Sequence, residues 1–303
     1  MITYEYPLNE RVRTLLRLED LYDRVTFFLK HDTPHDHHAC LSGMFEILEV
    51  AGRADLKSDL LQELDRQRTF LDALRANPAI SEEKLDLILR DIDRAFTNLH
   101  GLSGKTGQLL RENEWLMAIK QRASIPGGTS EFDLPSYHYW MHRPVEARRA
   151  DLLTWMQPLD PIHDALSIVL RVLRESGRTV ALVATQGVFQ QGPSEKPAQM
   201  LRLTLPEALA CVPEISANKY ALNIRFLVPE GVQKSRVFEH DVAFELAFCN
   251  LCTAPAARPG RSPAPAAANR PNTPPPTPGA RSAAKGAGSW TWAPGPPRLT
   301  GSR

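Results

Sequence analysis

Apolar positions from about Asn9 to Ala123 recur at three- and four-residue steps, the pattern of successive amphipathic helices. The first helix carries Leu15, Leu18, Tyr22, Val25 and Phe28 on one stripe. A second, Ala39–Ala51, places Leu41, Met44, Phe45, Leu48 and Val50 in the same way. A third runs from Leu56 to Leu74 with Leu60, Leu61, Leu64 and Phe70, and Asn77-Pro78 supplies its stop. Ser81 reads as the N-cap of a fourth helix carrying Leu85, Leu87, Ile88, Ile92 and Phe96, closed by Gly101 and Gly104. One continuous helix is expected over Gln108–Ala123, and two more over Val145–Met156 and Ile162–Glu175. The period then shifts from 3.6 to 2. Thr179–Phe189, Met200–Leu205, Tyr220–Val228 and Val242–Phe248 are short β-branched and aromatic runs bounded by turn residues. No helix-length segment separates them, so antiparallel pairing is favoured over crossovers. Ile2–Tyr6 could add a strand to the same sheet. The predicted class is α+β: a mainly helical domain over residues 1–177, an antiparallel β domain over 178–252, and a tail over 253–303.

The tail is set apart by composition. From Thr253 it is rich in Pro, Ala, Gly, Ser and Arg, and it cannot bury enough apolar surface to offset the entropy of ordering. Disorder is the expectation. Its seven cationic residues face no Asp or Glu; taking those seven from the 36 Lys and Arg leaves 29 against 35 Asp and Glu, so the remainder is mildly acidic although the whole chain is +1. Anion binding would therefore need a local patch. Four scattered cysteines fit a reduced, cytoplasmic protein, and no leader or bilayer-spanning apolar run is evident.

Gln121–Trp140, reading QRASIPGGTSEFDLPSYHYW, breaks the helical rhythm. Its Ile125-Pro126-Gly127-Gly128 turn, extended Phe132-Asp133-Leu134-Pro135 and ring-bearing Tyr137, His138 and Trp140 suggest a shaped, non-helical binding surface. Tyr137, Tyr139 and Trp140 admit two readings, core packing or the wall of a peptide groove.

Catalytic patterns are absent. His31-Asp32-Thr33-Pro34-His35-Asp36-His37-His38 holds metal-ligand residue types, yet Pro34 points to a loop and adjacent His37 and His38 cannot share a helical face. Gly104-Lys105-Thr106-Gly107 lacks the earlier glycine of a phosphate-binding loop, since position 99 is Leu, and it follows a helix instead of a strand. Cys249 and Cys252 form a lone C-x-x-C. No cofactor is implied, and nothing argues for an enzyme. The basic residues are more telling. Arg13 and Arg17, spaced i, i+4, stack on the first helix away from its apolar stripe, a geometry suited to carboxylates. Arg66, Arg122 and Arg225 could add to one patch, and His138 could donate to an acidic ligand.

Ordered motifs carry a resemblance. Pro7-Leu8-Asn9-Glu10 with Arg13, Thr14, Leu16, Arg17 and Glu19 comes first, then Glu63-Leu64-Asp65-Arg66-Gln67. Gln121–Gly128, the Phe132–Trp140 element and Val242–Ala247 complete the series. Over about residues 1–250 the chain resembles the ZapD family of bacterial cell-division proteins. The resemblance implies a helical domain plus a β domain and a symmetric homodimer. It also implies binding of the carboxy-terminal tail of FtsZ, the tubulin-like GTPase of the division ring, with bundling of its filaments at mid-cell. On this reading Arg13, Arg17, Arg66, Arg122, His138 and Arg225 contact the tail, and neither nucleic acid nor membrane is a partner. Competing expectations are a nucleic-acid binder acting through the basic tail and a metal-dependent hydrolase built on His31–His38.

Overall fold

A computed structural model describes residues 1–251 apart from 53–54, 77–80, 103, 105, 193–197, 219 and 229–235. The expectations for the 253–303 tail, the Asn77-Pro78 stop, Lys105 and Cys252 fall outside those residues. The element order is β1 (Ile2–Pro7), α1 (Glu10–Leu29), α2 (Pro34–Ala51), α3 (Leu56–Ala73), α4 (Glu82–Gly101), α5 (Gln108–Glu112), α6 (Glu114–Ala123), α7 (Pro135–Met141), α8 (Val145–Met156) and α9 (Asp160–Glu175). Strands follow: β2 (Arg178–Ala184), β3 (Val188–Gln191), β4 (Met200–Leu205), β5 (Val212–Ala217), β6 (Leu222–Val228), β7 (Arg236–Val237) and β8 (Val242–Cys249). The chain is α+β, as its periodicity predicts.

All strand pairs are antiparallel and fall into two sheets, ordered β1-β4-β8-β2 and β3-β6-β5, with the short β7 on β6. The first sheet separates two cores. Leu201, Leu203, Leu205, Val242, Phe244 and Leu246 face the second sheet, where Phe244 meets Phe226 and Phe189 at ring separations of 5.2 and 5.3 Å. Met200, Ala247 and Cys249, on the alternate positions, join the helical core. That core is built from the stripes of α1, α2, α3, α4 and α9; α1 packs along α2, and α9 touches α1, α3 and α4. Leu87 and Leu109 depart from their expected apolar stripes and are exposed.

Four sequence expectations are corrected. Of the supposed His31–His38 loop, only His31–Thr33 lies outside a helix and the rest is the start of α2: Pro34 occupies its first turn, and Thr33 and Asp36 form a reciprocal capping box. The expected 108–123 helix divides at Asn113, whose side chain accepts from the Leu116 N–H and opens α6. Pro135, expected in an extended stretch, instead initiates α7. The 179–189 run is two strands, because Gln186 and Gly187 at φ 48° and 71° turn the chain from one sheet into the other. The capping role predicted for Ser81 holds for its backbone position alone, since its side chain makes no cap hydrogen bond.

Two packing features set up testable behaviour. A Cβ built on Gly43 of α2 would lie 2.6 Å from Cγ2 of Val25 on α1, so the two helices approach closely there. Gly43→Leu should cost about 1–3 kcal/mol in urea unfolding by forcing the helices apart. His37 is fully buried on α2. Burial, then the nearby Arg148 guanidinium, hold its imidazole below its ordinary value, and burial does the same to His38, whose Nδ1 lies 2.6 Å from the Tyr137 hydroxyl. The unfolded chain binds protons there that the native chain refuses. Stability from these groups is therefore complete above about pH 6.5 and declines as pH falls through the depressed native values. The melting temperature should drop from pH 7 to pH 5, and His37→Leu should flatten that drop.

Candidate functional site: a groove along the first helix

β1 ends at Pro7, and Asn9 caps α1 by accepting from the Val12 N–H at 2.8 Å. That start sets the phase of the helix. Leu15, Leu18, Tyr22 and Val25 are buried, which leaves Arg13, Arg17, Asp20 and Arg24 within one arc of about 60° on the other side. These four line a groove of about 570 Å³ together with Glu5 and Pro7 of β1 and Glu46, Glu49 and Val50 of α2. Leu16, Leu21 and Val50 supply apolar surface between the charges.

The groove's charges are organised in two clusters. Near the start of α1, Arg13 and Arg17 share a single carboxylate, Glu10, at 3.4 and 3.9 Å. Two turns further on, Arg24 stands alone between Asp20 at 3.3 Å and Glu46 at 3.5 Å. The other two carboxylates of the lining are engaged outside it. Glu5 is held by Arg174 of α9 at 2.7 Å and Arg202 of β4 at 3.1 Å, and Glu49 by Lys120 of α6 at 2.8 Å. All the arginines of the groove are partly exposed, so their ion pairs are weak and exchangeable.

The remaining residues singled out in the sequence do not line the groove. Arg66 is bonded to the wholly buried Glu63, which Arg11 of α1 also approaches at 3.5 Å and the Gln67 amide meets at 2.6 Å. Burial, then Arg11, lower the Arg66 guanidinium from its ordinary value. Arg66 is thus paired within α3, and it is Arg11, on the side of α1 opposite Arg13, that ties α1 to α3 through Glu63. Arg122 pairs with Asp133 at 3.4 Å, and His138 with Glu131 at 3.6 Å, in and beside the α6–α7 connection. Arg225 of β6 pairs with its cross-strand neighbour Glu214 of β5. Tyr137 and Trp140 are core residues, stacked at 5.7 Å and packed with Trp115, whereas Tyr139 is exposed. The sequence reading missed Arg24 and Asp20, although both continue the face of Arg13 and Arg17. It also missed Glu46 and Glu49, which only the docking of α2 brings in.

No group of three or more His, Cys, Asp or Glu among the described residues could hold a metal ion, and none of their helices is long and apolar enough to cross a membrane. The family described as "ZapD: Cell division protein" matches residues 16–225. The chain belongs to the ZapD family. Relatives named Cell division protein ZapD include those of Aromatoleum aromaticum, 57% identical over 251 residues, and Dechloromonas aromatica, 58% identical over 252. Each alignment covers 83% of this chain and, respectively, 98% and 100% of the relative. The relative from Nitrosomonas eutropha is 55% identical over 251 residues, again 83% of this chain and 100% of its own. The ZapD match takes in Arg17, Asp20, Arg24 and Glu46 of the groove, with Arg13 just ahead of it.

Proposed function

We propose that this ZapD-family chain is a non-enzymatic cytoplasmic adaptor of the division ring. It binds the carboxy-terminal tail of FtsZ and bundles FtsZ filaments at mid-cell. The observation that carries this reading is the groove on α1, where Arg13 and Arg17 share one carboxylate beside Leu16, Leu21 and Val50. A flexible tail with acidic and apolar residues can exchange its own carboxylates for Glu10 and lay its apolar side chains between the charges. Of the residues first assigned to the tail, Arg13 and Arg17 form this primary contact. Arg122 and His138 are retained as secondary contacts and Arg66 and Arg225 as outlying ones, each of the four exchanging its present carboxylate partner for the tail.

Bundling requires two grooves per particle, which a twofold homodimer supplies. Filaments display many tails, so modest affinity at each groove becomes firm cross-linking through avidity while each contact stays reversible. The test is co-sedimentation of polymerised FtsZ with this protein, using full-length FtsZ and FtsZ lacking its last ~15 residues, a short linear recognition segment. Pelleting that survives tail removal would overturn the reading. Because the groove's arginines are exposed, peptide affinity should also fall steadily as salt rises from 50 to ~300 mM, measured by fluorescence anisotropy.

A further inference from the structure

The two charge clusters of the groove are unequal in opposite senses. Arg13, Arg17 and Glu10 amount to two cations and one carboxylate; Arg24, Asp20 and Glu46 amount to one cation and two carboxylates. The carboxylates that might blur this, Glu5 and Glu49, already have cationic partners in Arg174, Arg202 and Lys120. The groove is therefore dipolar, with an excess positive charge near the start of α1 and an excess negative charge further along. At 1.5 Å of rise per residue, the midpoints of the Arg13/Arg17 and Asp20/Arg24 pairs are about 10 Å apart along the axis. An extended peptide covers that distance in about three residues. Leu16 and Leu21 lie between and beside the two clusters.

We propose that the groove reads a mixed-charge peptide: a carboxylate side chain held by Arg13 and Arg17, and about three residues away a Lys or Arg held by Asp20 and Glu46, with an apolar residue between. Asp20 and Glu46 are thus specificity-determining residues. This deepens the tail-binding reading and rests on it. A purely acidic segment satisfies only one end and meets like charge at the other. A mixed segment replaces both internal ion pairs by intermolecular ones, and its chain direction is fixed because reversing it puts like charges together.

The test uses the full chain and synthetic peptides in fluorescence anisotropy: the FtsZ tail peptide, a designed peptide with Asp and Lys three residues apart around a Leu, its reversed sequence, and a version with Lys replaced by Gln. Asp20→Asn and Glu46→Gln should each weaken binding of the Asp/Lys peptide by roughly twofold to fivefold, the scale of a partly exposed ion pair, and leave the Gln version unchanged. Asp20→Lys should invert the preference, favouring a peptide with Glu in place of Lys. Both are surface positions, and unchanged melting curves will show that the fold is intact. If Asp20→Asn and Glu46→Gln bind the Asp/Lys peptide as well as or better than the parent, these carboxylates are internal competitors and the proposal is overturned. If binding persists in all of these but does not require Arg13 and Arg17, the tail-binding reading itself is overturned. Absence of binding by every peptide would sink both.

Discussion

Reversing two charges, Arg13→Glu together with Arg17→Glu, should reduce FtsZ co-sedimentation to the level of FtsZ alone while leaving the protein folded. Both side chains are partly exposed and share only Glu10, itself mostly exposed, so the ion pairs lost contribute little to stability. Position 13 also closes the first turn of α1, where the helix dipole mildly favours negative charge, and position 17 lies beyond its reach on an exposed face. The melting temperature should therefore hold nearly steady. Binding is different. On the proposed reading each reversal removes a charge-assisted hydrogen bond to the tail and substitutes repulsion in a groove where Asp20 and Glu46 already contribute carboxylates, with Glu10 beside it. A combined loss of about 3 kcal/mol, more than 100-fold at one groove, is expected from two such contacts. Bundling should suffer more, because cross-linking needs both grooves of a particle occupied at once. Single-site affinity is best read by peptide anisotropy and bundling by low-speed pelleting. Undiminished pelleting by the double variant would remove the groove from the mechanism.

The same residues show how far sequence reading reaches. Arg13 and Arg17 could be paired in advance because an i, i+4 spacing is local and its outcome depends only on the helix forming. Asp20 and Arg24 obey the same rule and were equally available. Glu46 and Glu49 were not: they reach the groove through the close approach of α2 at Gly43 and Val25, a tertiary fact. Arg66 illustrates a different limit. Its sequence context is polar and helical, and nothing local reveals that Glu63 beside it is buried and bridges to Arg11. A cation assigned to a surface patch by type alone can already share a buried carboxylate with an arginine of another helix.

Secondary structure shows a similar division. The stripes of α1, α3 and α4 were legible because apolar residues at period 3.6 leave little ambiguity. The start of α2 was not, since Pro and a His run suggest a loop when the capping residues Thr33 and Asp36 are overlooked. β5 escaped notice because Pro213 and Glu214 interrupt its apolar alternation; at the edge of its sheet both are tolerated. The β2–β3 turn carries Gln186 at positive φ, a conformation that only the following Gly187 hints at.

Replacing Arg174 by Ala should give the largest loss of stability of any single change outside the apolar cores. Its guanidinium makes hydrogen bonds of 2.8 and 2.7 Å to Glu5 of β1 and of 2.7 and 2.5 Å to Glu19 of α1, so one side chain of α9 joins strand and helix. The three side chains are 27%, 18% and 24% exposed, well short of a solvated surface pair. Glu19, then Glu5, hold the guanidinium firmly in its charged form. Removing it leaves two partly buried carboxylates facing each other, with only Arg202 still near Glu5. About 2–3 kcal/mol should be lost in urea unfolding, between the values for exposed and fully buried pairs. For a cooperative unit on the order of 250 residues that corresponds to a fall of roughly 4–10 °C in Tm. Arg174→Met alone should do little better than Ala, whereas combining it with Glu5→Gln and Glu19→Gln should recover most of the loss, because the cost lies in unpaired charge and less in missing volume. Failure of that recovery would assign the effect to packing. Glu5 also lines the groove with Arg13, and once released from Arg174 it keeps only its pairing with Arg202 and turns more negative charge toward the arginines proposed to hold the tail. Arg174→Ala should therefore weaken tail binding under conditions where the protein remains folded, and Glu5→Gln in the same background should restore it.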